Sequence, residues 1–150
     1  LFDLAIRASL TPELLDSPLA LPVRTPPPGS TLQFIREALQ AEAVFPALER
    51  ALQSPGASPP RELEEITREL FARTSARWQA LKLMERCALD WPELAQLWFG
   101  DHRLRLLRGL SRYLRERMAE GRLRPAPDPD AAARLILEMV AAFALHCRTE

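Results

Sequence analysis

The last third of the chain limits its fold most tightly, because two long helical patterns there carry more apolar surface than one small bundle hides. Over residues 92–120, Leu107, Leu110, Leu114 and Met118 recur at steps of three and four and form one stripe. The pattern stops at Gly121, crosses a short acidic and proline-rich turn, and resumes as an almost wholly apolar helix ending near Cys147. In that second helix Leu135, Ile136, Met139, Val140, Phe143 and Ala144 make a face too wide for a single neighbouring helix. The surplus predicts a homodimer, with Leu107, Leu110, Leu114, Met118, Leu135, Ile136, Met139, Val140 and Phe143 at its interface.

Fourteen prolines would forbid a helical fold if they fell inside the periodic segments. Nearly all fall between segments or in a first turn, where a missing N–H costs nothing. Ser30, Thr31, Leu32 and Gln33 fit a capping box for a helix running to about Leu52, with a break possible at Pro46. A loop over residues 17–29, stiffened by Pro26, Pro27 and Pro28, precedes it. Ser58, followed by Pro59 and Pro60, opens a helix expected to run unbroken to about Leu89. Asp90, Trp91, Pro92 and Glu93 form a second cap, and Asp128 with Pro129 caps the last helix. No alternating run has strand character, no Asn-Gly turn occurs, and no internal repeat is present. The expected fold is all-α, an antiparallel bundle of about five to six helices.

A chain of 150 residues, 47% hydrophobic, is one domain's worth. At this size a domain buries roughly 68 to 70% of its unfolded surface, so a core is available without staples. Cys87 and Cys147 stand sixty positions apart in helical patterns, which argues against a disulfide framework and for a reducing cytoplasm. No apolar run reaches the roughly 18 residues that span a bilayer, and no signal-peptide order opens the chain, so no membrane partner is expected. The opening LFDLAIRASL has the pattern of an amphipathic helix already under way, without an initiating Met, and is expected to continue from a longer protein.

Large side chains suggest a binding space. Phe34, Phe45, Phe71, Trp78, Met84, Trp91, Trp98 and Phe99 fall on helices that would pack together, and interhelical spaces of this kind hold small molecules in bundles. Taken singly, each better suits a solid core; it is the cluster that points to a binding space. Positions 71, 74, 78, 81 and 85 share one stripe, which nominates Phe71, Thr74, Trp78, Leu81 and Glu85, with Phe34 and Trp98, as the ligand wall. Glu85 is the odd residue of that stripe, since a carboxylate on an apolar face must be paired or meet something polar. It is either an ion pair with Arg77 or Arg86, or an anchor for a ligand.

The order of these segments resembles the C-terminal regulatory domain of TetR-type transcriptional repressors. The resemblance spans residues 81–143 and rests on Glu85 near a helix end, Trp91-Pro92-Glu93-Leu94 at the next start, EGRLR over residues 120–124 as a stop, and DPDAAA over residues 128–133 as a cap. The opening LFDLAIR also resembles the helix that follows the DNA-binding head in that family. Residues 30–53 and the proline-rich loop match in position alone. The resemblance implies a homodimer through the last two helices and a small hydrophobic or aromatic effector held among the earlier ones. Operator DNA would be met only through an N-terminal helix-turn-helix head, expected to lie outside this chain. Effector and DNA would then weaken each other by one factor, a coupling of about 1 to 3 kcal/mol. The source would be bacterial; the near absence of Lys, with Lys82 alone, suits a GC-rich genome.

Two other functions compete. Residues 101–127 hold eight Arg against three acids, and Arg105, Arg108, Arg112 and Arg115 line one face opposite the leucines. Such a ridge could track phosphates, or be the wet side of an ordinary helix; no aromatics interleave as stacking platforms. A helical dimerisation module with a filled core and no ligand is the other alternative. Catalysis has no support: His102 and His146 lie apart, neither has metal-ligand spacing with a Cys or His, and no phosphate loop or nucleophile elbow occurs. No catalytic residue, metal or cofactor is expected.

Overall fold

Helices begin where proline or a cap allows them to. The computed structural model describes residues 1–16, 22–53 and 58–146, apart from the side chains of Pro12, Leu15 and His146. In order these form α1 (Phe2–Leu10), a 3₁₀ turn (Pro12–Leu15), α2 (Ser30–Ala41), α3 (Pro46–Gln53), α4 (Pro59–Ala76), α5 (Trp78–Ala88), α6 (Pro92–Ala95), a π-helical stretch (Gln96–Arg103), α7 (Leu104–Ala119) and α8 (Pro129–His146). The fold is an all-helical bundle, with no strand among the described residues. Cys147 and most of the loop's first half, residues 17–21, lie outside them.

Two expected helices are each broken and a third, over residues 92–120, is interrupted by the π stretch, so the elements outnumber the five to six expected. The break before Pro46 is the foreseen one, since proline can start a helix but not continue one. The break at Arg77 was not foreseen. Thr74 and Ser75 precede it, and short hydroxyl side chains compete with the helical backbone for hydrogen bonds. Arg77 leaves helical geometry there, at φ −120° and ψ 21°, while its side chain pairs with Glu42.

Caps divide the same way. Asp128 performs as expected, its Oδ1 accepting from the N–H groups of Asp130 at 2.9 Å and Ala131 at 3.0 Å. The capping box at Ser30 does not form. Ser30 Oγ donates back to the Pro27 carbonyl, and Thr31 Oγ1 donates to Asp3 Oδ1 at 2.7 Å, tying α2 to α1. Ser58 and Trp91 make no side-chain cap bond either. Gly121 ends α7 with φ 69°, and Arg122 N–H reaches the Arg117 carbonyl at 2.9 Å while Gly121 N–H reaches that of Met118. This paired closure needs a left-handed residue, which glycine supplies without strain.

Burial separates into two cores. One joins α3, α4, α7 and α8 around Leu48, Ile66, Leu70, Leu110, Tyr113, Leu114 and Leu137. The other joins α1, α2, α5, α6 and the π stretch around Ile6, Ile35, Ala80, Met84, Leu94 and Trp98. α8 packs on α4 and α7. Removing a sealed side chain such as Leu110 to Ala costs about 2–5 kcal/mol by lost transfer energy and the cavity left behind.

The first core corrects part of the expected interface. Leu110 and Leu114 are buried inside the subunit and have no surface left for a partner. Leu107, Met118, Ile136 and Val140 are partly buried against the same core. Leu135, Met139 and Phe143 stay outside, at 60%, 47% and 60% exposure, and their four-residue spacing makes them one stripe along α8.

Candidate functional site

A cavity of about 80 Å³, partly open to solvent, lies at the seam of the two cores. α4 contributes Leu70, Arg73 and Thr74, and α5 contributes Leu81 and Glu85. Trp98, His102 and Arg103 come from the π stretch, and Leu137, Ala141 and Leu145 from α8. Glu42, Phe45, Arg77 and Leu106 complete the wall. Leu70 and Leu137 belong to the first core and Trp98 to the second, so the hollow is bounded by both.

Four of the seven expected wall residues are brought together here: Thr74, Leu81, Glu85 and Trp98. Phe34, Phe71 and Trp78 do not line this cavity. An unbroken helix would have kept 71, 74, 78, 81 and 85 in one line; with the break at Arg77, α4 lines the cavity through Leu70, Arg73 and Thr74 and α5 through Leu81 and Glu85. Phe71 is exposed, Trp78 lies beneath the Lys82 ammonium at 5.3 Å, and Phe34 lies beneath the Arg7 guanidinium at 4.4 Å.

The wall is apolar with an ordered set of charges. Arg73 pairs with Glu69 at 2.6 Å, donates to the Val44 carbonyl at 2.8 Å, and covers the Phe45 ring. Arg77 pairs with Glu42, and Arg103 with Glu138. Neither candidate pair, Glu85 with Arg77 or Glu85 with Arg86, is made among the described residues. Among the described residues Glu85 has no hydrogen bond or ion pair, and the buried Trp98 Nε1 also has no acceptor. Trp98 stacks on His102, with centroids 5.3 Å apart and planes 14° from parallel. Burial, with Arg105 nearby, pushes the His102 pKa down to about 4, so its imidazole is neutral at pH 7.

No local residue pattern marks the π geometry over residues 96–103. Such stretches are rare and concentrate at functional sites, because the widened turn shifts side chains off the regular helical face. Here it carries Trp98, His102 and Arg103 to one cavity.

Elsewhere, Arg105, Arg108, Arg112 and Arg115 are exposed, as a ridge requires, but Arg112 pairs with Glu116 and Arg115 with Asp130. Among the described residues no group of three His, Cys, Asp or Glu side chains could hold a metal ion, and no helix is long and apolar enough to cross a membrane.

A family model described as the AefR-like transcriptional repressor C-terminal domain matches residues 61–148. The matched stretch supplies every residue of the cavity wall except Glu42 and Phe45. No curated protein and no solved structure matches the chain.

Proposed function

The chain belongs to the AefR-like C-terminal domain family of TetR-type transcriptional repressors, and from that premise we propose that it is the effector-binding, homodimerising domain of such a regulator. The observation that carries this reading is the seam cavity, whose apolar wall includes Glu85, without a partner among the described residues, and Trp98, whose Nε1 has no acceptor. The cavity's position also supports regulation. α5 turns Leu81 and Glu85 to the hollow while Ala80, Met84 and Ala88 pack in the core that holds Ile6 of α1. A ligand that moves α5 therefore bears on α1 at the chain's start, and one that moves α8 bears on the exposed Leu135, Met139 and Phe143 stripe. Operator binding is assigned outside this domain, and the regulator acts in the cytoplasm, where its DNA is.

Homodimerisation rests on that α8 stripe. Contiguous exposed apolar surface on a small domain marks an interaction site, and a two-fold axis through α8 covers the stripe of each copy with that of the other.

A second reading, a helical dimerisation scaffold without a ligand, is favoured by the cavity's size. Pockets for drug-sized ligands measure roughly 300 to 1,000 Å³, well above the 80 Å³ here. The effector reading accordingly requires a small ligand, or one that displaces Phe45 or Arg73 from the rim. Native mass spectrometry of the expressed chain tests both. Twice the subunit mass with a bound small molecule is the expected result; a dimer that never carries or takes up a ligand favours the scaffold, and a monomer defeats both.

A further inference from the structure

We infer that the seam cavity takes a small monocation, an amine on an aromatic or short aliphatic body, with its ammonium seated against Glu85. The inference rests on the effector-binding reading and specifies its ligand.

Charge pairing around the wall carries the argument. Each of the three lining arginines already has its own carboxylate: Glu69 for Arg73, Glu42 for Arg77, and Glu138 for Arg103. The one carboxylate left over is Glu85, half-buried beside Leu81 and without a partner among the described residues. Glu85 stands in a largely apolar wall, where an opposite charge brought to it is screened less than at an open surface and so gains more. His102 adds no competing positive charge, because burial keeps its imidazole neutral at pH 7.

The alternatives fare worse on the same geometry. An anion would face Glu85 directly, and each lining guanidinium already has a carboxylate that offsets its charge. A neutral apolar molecule would fill the space and leave Glu85 covered but unmet, which costs free energy. Trp98 Nε1 adds a second preference: a buried indole N–H without an acceptor suits a ligand whose body carries an ether, hydroxyl or carbonyl oxygen.

Three probes of one shape and different charge test this: 2-phenylethylamine, 2-phenylethanol and phenylacetate, titrated calorimetrically into the chain at pH 7. The amine is expected to bind about tenfold tighter than the alcohol, the gain typical of a charge-assisted hydrogen bond, with phenylacetate weakest. E85Q should remove the amine's advantage, leave the alcohol within about twofold, and leave the melting temperature unchanged; E85D, which keeps the charge, should retain part of the preference. Phenylacetate binding as tightly as the amine, or amine affinity unaltered in E85Q, overturns the inference. If the alcohol or the acid binds and the amine has no advantage, effector binding stands and the charge assignment falls. If none of the three binds, both fall.

Discussion

Arg117 Nε lies 2.7 Å from Glu62 Oε2, and the two side chains are only 1% and 5% exposed. The pair is the centre of a larger cluster. Tyr113 donates to the same Glu62 oxygen at 3.0 Å, the Ala51 carbonyl accepts from Arg117, and Glu120 accepts from it at 3.2 Å. One guanidinium thus fastens α3, α4 and the end of α7. Burial, then the Glu62 hydrogen bond, holds the Tyr113 hydroxyl far above its usual range, so it stays a donor. For Arg117 burial works the other way, and the Glu62 hydrogen bond and charge outweigh it to keep the pKa raised.

Removing one partner of this pair leaves Arg117 with Glu120 alone, or Glu62 with the more distant Arg122 at 3.8 Å, and costs up to about 3–5 kcal/mol. E62Q and R117M should each lower the urea unfolding midpoint accordingly. The double variant E62L/R117M should recover most of the loss, because well-packed apolar replacements of a buried pair are often close to neutral. A double variant less stable than both singles would contradict this account.

Acid should weaken the fold through His102. Its folded pKa of about 4 lies below the ordinary value of 6.5, so the unfolded chain takes the proton first. Stability from this group is fully present above pH 6.5, falls as pH drops towards 4, and levels off below that. The slope is at most about 1.4 kcal/mol per pH unit. Replacing His102 with Gln should flatten that part of the stability profile in urea titrations at several pH values. An unchanged slope would remove His102 as its source.

The α8 stripe should control association. M139E and F143E each put a charge on the face formed with Leu135, and burying an unpaired charge there is prohibitive. Sedimentation velocity should give a dimer for the parent chain and a monomer for the double variant, with helical content retained, since neither residue is buried within the subunit. A parent that sediments as a monomer at high concentration would refute the interface.

Glycine at the end of α7 has a measurable role. Gly121 has φ 69°, and nothing lies within 4 Å of where a Cβ would sit, so an added methyl meets only backbone strain. G121A should cost about 1 kcal/mol, and G121N less, because Asn tolerates the left-handed region better. Thermal unfolding measures both. Gly109 differs: a Cβ there would come 2.9 Å from Leu48 Cδ2, so G109A disturbs the packing of α7 on α3.

Part of the cavity wall was legible in the residue pattern. A carboxylate on an apolar stripe singled out Glu85, and that residue does stand unpaired in a cavity wall. Glu62 and Arg117 carry the same signal. Glu62 is in line with Ile66 and Leu70 on α4, and Arg117 follows Leu110 and Leu114 on α7. Charged residues on two buried stripes could have been matched as a pair. Which acid would meet which base was not legible, because the partners stand 55 positions apart and only packing brings them together.

Local signals alone determined the all-helical class, the helix starts at prolines and at Asp128, the stop at Gly121, and the apolar faces of the last two helices, because each depends on residues within a turn or two of one another. Tertiary structure decided the rest. It broke the chain at Arg77, wound residues 96–103 into a π turn, sent Leu110 and Leu114 inward while Leu135, Met139 and Phe143 stayed outside, and opened a hollow where two cores meet. A helix face carries no record of what will lie against it: the sequence specifies which side chains avoid water, and the competition among all faces for limited interior volume settles which of them succeed.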